Sequence, residues 1–306
     1  MDEAALSEAA PTPAPEPAPT TRAPTPEGPD HDENGGAVID AVIAIPTYRC
    51  ADQVVRVLEG VDDALAARVR EIWVVDNRSP DGTAEAALGV ARSGRLPNLR
   101  VFRTRQNNSL GGTHKTVFRR AAEVGASHVV VLHGDDQAVA AEVGLLLDRV
   151  ERDPSVQTVL GSRFSRGSRL VGYDRKRVAG NRVLNVVYSV VTGRRLADLG
   201  SGLNCFAVAD LDERTYLRFA DGLTFNFELL LDLVRRRVAF AYEPITWREE
   251  DQVSNARNVK VFTTALANLL RWRLGRPAGP APAADREYAM DELDPSGPAA
   301  GVGAAS

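Results

Sequence analysis

An apolar run passes directly into acidic residues in the stretch Val129-Val130-Val131-Leu132-His133-Gly134-Asp135-Asp136-Gln137. Four aliphatic residues in a row are typical of a strand covered on both faces. Two like charges this close together are unfavourable unless solvent or a cation stabilises them. The stretch therefore predicts a cation site at the end of a buried strand, with a simple polar turn as the alternative.

Similar apolar runs recur along the chain and alternate with helical periodicity. The predicted strands are Val42–Ile45, Ile72–Val75, Leu99–Phe102, Val129–Leu132, Thr158–Leu160, Cys205–Val208 and Val238–Tyr242. The predicted helices are Ala51–Leu65, Ala84–Ser93, Thr113–Glu123, Ala138–Arg152, Arg175–Val191, Phe227–Arg236 and Ala256–Leu274. This alternation predicts an α/β fold with a mostly parallel central sheet flanked by helices. Ligands of such folds bind beyond the carboxyl ends of the strands.

Polar clusters follow the other strands at the same point. Asp76 closes the second strand, where its carboxylate can accept hydrogen bonds from a base or a ribose, whereas residues 81–83 read as a turn and a helix cap. The glycine-rich segment 107–115 opens a helix but matches neither GxGxxG nor GxxxxGK[ST]. Lys115 within it is a candidate phosphate contact, with a solvated lysine as the alternative.

Asp135 and Asp136 are the candidate ligands of a divalent metal. Mg²⁺ or Mn²⁺ bound there can bridge carboxylate oxygens to a diphosphate. The metal would then neutralise charge that develops on a leaving group. We therefore expect a metal cofactor that acts together with a nucleoside diphosphate.

Several motifs in a fixed order give the chain a family resemblance. They are Ile45-Pro46-Thr47-Tyr48, Val74–Thr83, His133–Gln137, Gly161-Ser162-Arg163-Phe164, Asp198–Leu203 and Glu243-Pro244-Ile245. With them, the region from Ala41 to Leu274 resembles a family 2 glycosyltransferase of the GT-A (Rossmann-like) fold. Within that family it is most similar to the dolichol-phosphate mannose synthase-like, polyprenyl-phosphate branch.

The resemblance implies a site for a nucleotide sugar and a metal. Pro46, Tyr48 and Asp76 would frame the nucleoside. Asp135 and Gln137 keep the family's metal positions, and His133 stands where the family has its first acid. Other departures are Arg49-Cys50, in place of Asn-Glu, and Asn77, in place of a second aspartate.

The resemblance also implies an inverting transfer of a hexosyl or N-acetylhexosaminyl group. Arg163 and Arg175 would reach an anionic group on the acceptor or the donor. The acceptor stays open between a polyprenyl phosphate and a hydroxyl-bearing small molecule or glycan. A hydroxyl needs a general base, for which the candidates are Asp198, Glu228 and the cluster Glu249–Asp251, with Asp198 favoured by its motif.

Composition divides the chain into three parts. Residues 1–37 and 277–306 are rich in proline and alanine and predict disordered tails, and residues 38–276 form the predicted GT-A domain. The net charge of −4 hides an asymmetry. Both tails are acidic, which leaves a core of roughly +8 that suits an anionic partner.

Neither a signal peptide nor a long apolar segment is evident in the sequence. Cys50 and Cys205 are far apart and lack a CxxC pattern, which suits a reducing compartment. We therefore expect a cytoplasmic, bacterial protein without a transmembrane helix, with a peripheral position at the inner membrane face left open. The segment Val259–Leu274 predicts either an interfacial helix or one packed on the core.

Three other functions compete with sugar transfer. The replacements at His133 and Asn77 suit a catalytically silent nucleotide-sugar-binding protein of the same fold. The basic core suits nucleic acid, but aromatic residues make up 6% of the chain and do not interleave with the basic ones, so no nucleic-acid partner is expected. A Rossmann dehydrogenase is disfavoured because no GxGxxG follows the first strand.

Overall fold

The structure, a computed structural model, describes residues 39–249, 258–276 and 282–297. Its strands are β1 (Ala41–Thr47), β2 (Glu71–Asp76), β3 (Leu99–Thr104), β4 (His128–Leu132), β5 (Thr158–Ser162), β6 (Arg169–Val171), β7 (Leu203–Ala207), β8 (Phe240–Pro244), β9 (Thr246–Arg248) and β10 (Met290–Glu292). Its helices are α1 (Ala51–Glu59), α2 (Asp63–Ala67), α3 (Thr83–Arg92), α4 (Ser109–Glu123), α5 (Val143–Arg152), α6 (Arg175–Thr192), α7 (Glu213–Tyr216), α8 (Phe225–Arg235) and α9 (Asn258–Arg273).

Eight strands form one sheet in the order β10-β3-β2-β1-β4-β7-β5-β8. The four neighbours β3, β2, β1 and β4 run parallel, and β7 and β10 run antiparallel to the strands beside them. All seven predicted strands are present, and the mostly parallel α/β architecture is confirmed.

The buried strands supply side chains to both faces of the sheet. In β1, Ile43 and Ile45 pack with residues of α1, α3 and α5, whereas Val42 and Ala44 pack on the opposite face with residues of α4, α6, α8 and α9. Alternate strand residues point to opposite faces, so a strand covered on both sides must be apolar throughout. The helices thus form two layers with the sheet between them.

The predicted helix Ala51–Leu65 is two helices. The first, α1, ends at Glu59, and the carboxylate of Asp62 then accepts a hydrogen bond from the backbone N–H of Leu65 at 2.7 Å. An aspartate in this position caps a new helix start, so the chain turns before α2 begins.

A second small sheet was not predicted. It joins β6 to β9 in parallel, at three residues each. Strands this short carry too little periodicity to be recognised in a sequence.

The prediction of a disordered tail over 277–306 is wrong for residues 282–297. There β10 adds an antiparallel strand to the edge of β3. Arginines of the β3 region hold the segment: Arg100 pairs with Glu292, and Arg105 pairs with Glu287 and Asp291. The content of proline and alanine does not reveal this complementarity of charge. The predicted tail 1–37 and the remainder of 277–306 lie outside the described residues.

Within the described ranges, no helix is both long and apolar enough to cross a membrane.

We predict that a chain ending before residue 282 is less stable than one ending at Gly297. The shorter chain loses the edge strand and its ion pairs, together with a buried contact from Tyr288. We expect a cost of about 3 kcal/mol in the free energy of unfolding. Urea unfolding of the two truncations measures it, and equal midpoints would contradict the packing of 282–297 on the sheet.

Candidate functional site

The carboxyl ends of β1, β2, β3 and β4 meet at one edge of the sheet. The register places Thr47 beside Asp76 and Asp76 beside Arg103. The loops after these strands are therefore neighbours: the backbone N–H of Asn77 donates to the carbonyl of Thr47, and that of Gly134 donates to the carbonyl of Pro46. This edge is where α/β sheets bind ligands.

Backbone strain is concentrated at the same edge. Among the described non-glycine residues, five have positive φ, and four of them follow the four parallel strands. These four are Arg49 (φ 55°), Arg78 (φ 60°), Ser109 (φ 57°) and Asp136 (φ 58°). Such residues cost free energy and cluster at functional sites, so the strain supports a site at this edge.

The two acids after β4 have separate environments. Burial, and to a smaller extent the charge of Asp136, raises the pKa of Asp135 to about 6. The carboxylate of Asp136 instead accepts a hydrogen bond from Nε of Arg56 at 2.8 Å. Asp135 is therefore the acid whose burial disfavours its negative charge and which a bound cation would stabilise.

Negative charge from two loops, those after β2 and β4, converges near the start of α1. The thiol of Cys50 has a pKa raised to about 12, first by burial and then by the carboxylates of Asp135, Asp81 and Asp76. The thiol is thus inert at neutral pH. The carboxylates of Asp135 and Asp81 make this end of the crevice favourable for a cation.

Asp135, Gln137 and His133 stand at the metal positions that the resemblance implies. Among the described residues, no group of three or more His, Cys, Asp or Glu side chains is placed to hold a metal ion. Gln137 makes hydrogen bonds through its backbone. Its N–H donates to the carboxylate of Asp135, and its carbonyl accepts from the backbone N–H of Arg248. A partly buried carboxylate such as that of Asp135 would fit a hard divalent cation, which prefers oxygen ligands.

His133 lies in another environment. Its ring packs so closely against Gly202 that a Cβ there would lie 2.9 Å from the imidazole. Burial, then the nearby positive charge of Arg163, lowers the pKa of His133 to about 4. Its Nε2 is buried and has no hydrogen-bond partner in the described part of the chain. A neutral imidazole can ligate a metal, whereas the nearby charge of Arg163 opposes a cation, so the metal role of His133 stays a prediction.

Tyr48 offers the exposed surface of the predicted nucleoside site. Its side chain is 40% exposed, and the guanidinium of Arg49 lies 5.4 Å from its ring centroid. Pro46 is buried within β1, where it supports the β4 loop through its carbonyl. Of these two predicted residues, Tyr48 is the one whose side chain is exposed.

Asp76 is not open to a ribose as predicted. It is 0% exposed; one carboxylate oxygen accepts from Nε of Arg103 at 2.9 Å and the other from the N–H of Ser79 at 3.0 Å. The strand register brings Arg103 directly opposite, so the ion pair fixes the β2 loop. Sequence reasoning missed Arg103, although its place in β3 opposite a strand-ending acid is a usable signal.

Lys115 is also a structural residue, contrary to its prediction as a phosphate contact. It is 0% exposed, and its Nζ donates to the carbonyls of Leu217 and Phe219, to Asp221 and to the hydroxyl of Tyr288. Helix α4 carries the lysine inward against the 217–221 loop. A saturated ammonium cannot also reach a ligand phosphate.

Arg163 and Asp198 form a buried bidentate pair. Nε and Nη2 of the guanidinium donate to the two carboxylate oxygens at 2.8 and 2.7 Å. The guanidinium also lies 5.0 Å from the ring of Trp247 and 5.2 Å from that of Phe164. Such a pair holds the arginine in one orientation.

The candidate general bases within the described residues are already engaged. Asp198 also accepts from the backbone N–H groups of Arg163 and Gly200. Glu228 is buried and accepts from Ala220 and Asn268. Glu249 pairs with Arg177 at 2.7 Å; residues 250 and 251 of that cluster lie outside the described ranges. In this arrangement Asp198 positions Arg163.

Arg175 begins α6 and is exposed. The preceding residue, Asp174, caps the helix by accepting from the N–H of Arg177 at 2.9 Å. Neither Arg175 nor Lys176 has a side-chain partner within the described ranges. Both side chains are therefore available to an anion.

Comparison with known proteins identifies the family of the chain. A model of the family described as Glycosyl transferase family 2 matches residues 42–204, which is more than half of the 306 residues. The chain is 24% identical over 235 residues to an undecaprenyl-phosphate mannosyltransferase of Micrococcus luteus, covering 75% of this chain and 92% of that protein. It is 26% identical over 211 residues to the glycosyltransferase AglJ of Haloferax volcanii, covering 68% and 63%.

Solved structures show the same fold. Glucosyl-3-phosphoglycerate synthase from Mycobacterium tuberculosis, in complex with Mn²⁺, UDP and phosphoglyceric acid, has a TM-score of 0.59 at 18% identity and covers 83% of this chain and 86% of that one. Mannosyl-3-phosphoglycerate synthase from Rubrobacter xylanophilus has a TM-score of 0.53 at 17% identity, with coverage of 78% and 74%. The predicted GT-A fold and family are confirmed, and the mannosyltransferase relative agrees with the polyprenyl-phosphate branch.

Replacing Lys115 by methionine is predicted to destabilise the protein by about 3 kcal/mol, because Asp221 and two carbonyls lose a buried cationic donor. The matched control is Lys176→Met, at an exposed lysine, which should change stability by less than about 0.5 kcal/mol. Urea unfolding compares the two variants. A similar effect of both substitutions would contradict the buried role of Lys115.

His114 gives a prediction for acid pH. Burial in a cluster with Phe118 and Phe225 lowers its pKa from 6.5 to about 3. Below pH 6.5 the unfolded chain binds a proton that the folded protein does not, so stability falls as pH falls, by about 1.4 kcal/mol per pH unit. His114→Phe removes this component. Urea unfolding at pH 7, 6 and 5 should show the wild type losing stability relative to the variant; a constant difference would contradict a neutral, buried His114.

Proposed function

The chain belongs to glycosyl transferase family 2, and we propose that it transfers a hexose from a nucleoside-diphosphate sugar to a phosphate-bearing acceptor, with inversion at the anomeric carbon. The observation that carries the donor half is the partly buried carboxylate of Asp135 at the carboxyl end of β4, within the region that matches the family. We favour a hexose because the named relatives include mannosyl- and glucosyl-transferring proteins.

At the donor end, Asp135 holds a divalent metal and Tyr48 contacts the base. The metal, when bound, neutralises charge on the diphosphate leaving group. The chain's own contribution is to fix these contacts. Pro46 supports the β4 loop, and the pair Asp76–Arg103 orders the loop after β2.

At the acceptor end, a phosphate suits the engaged state of the candidate bases better than a hydroxyl. A hydroxyl must lose its proton during attack, whereas a phosphate is already ionised at neutral pH. Asp198, Glu228 and Glu249 all have donors bound to them. The phosphate oxygen attacks the anomeric carbon, the bond to the nucleoside diphosphate breaks, and no proton acceptor is needed.

Two arginines are suited to bind that phosphate. Arg163 is held in place by Asp198, and Arg175 is exposed at the start of α6. The acceptor class follows the undecaprenyl-phosphate mannosyltransferase relative and supports a polyprenyl phosphate. We propose that the protein works in the cytoplasm at the membrane surface where such a lipid presents its phosphate.

Nucleotide binding tests the donor half. Thermal-shift assays use UDP, GDP, TDP and CMP with and without Mn²⁺, and a ligand at 100 times its Kd adds about 2.7 kcal/mol of stability. We expect one nucleotide to bind with metal, and Asp135→Asn to abolish the shift. The matched control Asp136→Asn should keep it, because Asp136 is bound to Arg56.

Transfer assays with the nucleotide sugar so identified then compare undecaprenyl phosphate with a hydroxyl acceptor. Transfer to the lipid phosphate is the expected result. Nucleotide binding without transfer to either acceptor would favour a silent binding protein. A shift that survives Asp135→Asn would overturn the metal assignment.

A further inference from the structure

Helices α6 and α9 carry only basic charges. Helix α6 contains Arg175, Lys176, Arg177 and Arg182, and α9 contains Lys260, Arg271 and Arg273; neither contains an aspartate or a glutamate. The whole chain has 41 acidic and 37 basic residues, so a cationic pair of helices departs from its balance. Charge of one sign on neighbouring helices indicates an anionic partner.

The same helices expose apolar side chains. Five of the nine large hydrophobic residues that are exposed in the described part of the chain lie on α6 or at the end of α9. They are Val183 (55% exposed), Val186 (62%), Val190 (75%), Leu270 (60%) and Leu274 (57%). The spacings of three and four residues place the members of each set on one helix face. Contiguous exposed apolar residues mark an interaction surface.

The two helices are joined. The hydroxyl of Tyr188 in α6 donates to the carbonyl of Ala265 in α9 at 2.7 Å. An open groove of about 510 Å³ lies between their C-terminal ends, where Val190 and Trp272 line it together with Arg273. The groove connects the end of α6 with the end of α9. We call the exposed side of these two helices, which carries the three valines and two leucines, the α6–α9 face.

One side of α9 packs on the core. Phe262, Leu266 and Leu269 contact the hydrophobic cluster under α6 and α8. Leu270 on the same helix is exposed. The packed and the interfacial interpretations of this helix therefore each apply to a different side of it.

We propose that the α6–α9 face docks the protein on a bilayer that contains anionic lipids. The valines and leucines enter the boundary between headgroups and acyl chains, and Arg182, Arg273 and their basic neighbours contact lipid phosphates. This combination of apolar residues and one sign of charge is that of an interfacial helix. A second copy of the chain is the less favourable occupant, because a symmetric pairing through this face would bring like charges together.

The role of this docking in catalysis rests on the proposed function. Arg175 lies on α6 eleven residues before Val186, which is about three helical turns along the same side. A docked α6 places Arg175 at headgroup level, where a lipid-linked acceptor carries its phosphate. The face thus brings the exposed arginine and the acceptor to one surface.

Vesicle co-sedimentation of the full chain tests the proposal. Vesicles of phosphatidylcholine with phosphatidylglycerol should bind the protein, and pure phosphatidylcholine vesicles should bind it weakly. Val186→Glu/Val190→Glu should abolish binding. Arg182→Gln and Arg273→Gln should each weaken it roughly fivefold, and added salt should weaken it further.

Matched controls come from the opposite layer. Leu145 is 41% exposed on α5, so Leu145→Glu introduces the same charge at a similar apolar site, and Arg152→Gln removes an exposed arginine from the same helix. Both controls should bind vesicles like the wild type. The metal-dependent nucleotide shift should be unchanged in every variant, which shows that each is folded.

Three results would overturn the proposal. One is absence of binding to anionic vesicles by wild-type protein that still binds nucleotide, which leaves the proposed transferase function intact. Another is equal loss of vesicle binding in the α5 controls. The third is dissociation of a dimer by Val186→Glu/Val190→Glu, seen by analytical ultracentrifugation, with vesicle binding unchanged; the face would then pair two copies.

Discussion

Parallel pairing of β3, β2, β1 and β4 is the constraint on which the remainder of the molecule depends. Buried backbone N–H and C=O groups must find partners, and in these strands they find them in the neighbouring strand. The pairing aligns four carboxyl ends at one edge, so loops distant in sequence become neighbours. Helices fill both faces, which leaves that edge as the place where polar residues and strained backbone gather.

Arginine determines what the acids at this edge can do. Asp76 is neutralised by Arg103, Asp136 by Arg56 and Asp198 by Arg163. Each pair converts a residue that resembles a ligand contact into one that orders a loop or a side chain. For Asp135, burial opposes the negative charge and raises the pKa of the carboxyl, so a bound cation would stabilise its ionised form. The place of an acid at the end of a strand therefore does not decide whether its carboxylate is available to a ligand.

The fold was predictable because buried strands read as apolar runs whatever their partners, as β1 and β4 show. The environments of the side chains were harder to predict. Lys115 follows a glycine-rich helix start, as a phosphate-binding lysine does, but whether its helix turns it inward depends on tertiary packing. Composition predicted disorder for 282–297, but an acidic segment that lacks its own core can still bind an arginine-rich strand edge. The resemblance implies a metal position at His133. The contact of its ring with Gly202 was not predictable, because it depends on the pairing of β4 with β7.

The edge strand β10 has a consequence for the order in which the protein is made. Its partner β3 ends at Thr104, whereas β10 begins at Met290. At a synthesis rate of 5–20 residues per second, roughly 10 to 40 s pass between the two. During that interval the growing chain exposes an unpaired, arginine-bearing strand edge, which is a template for pairing with other chains. The arginines that hold the C-terminal segment in the folded protein would bring like charges together if two such edges met, which opposes that pairing.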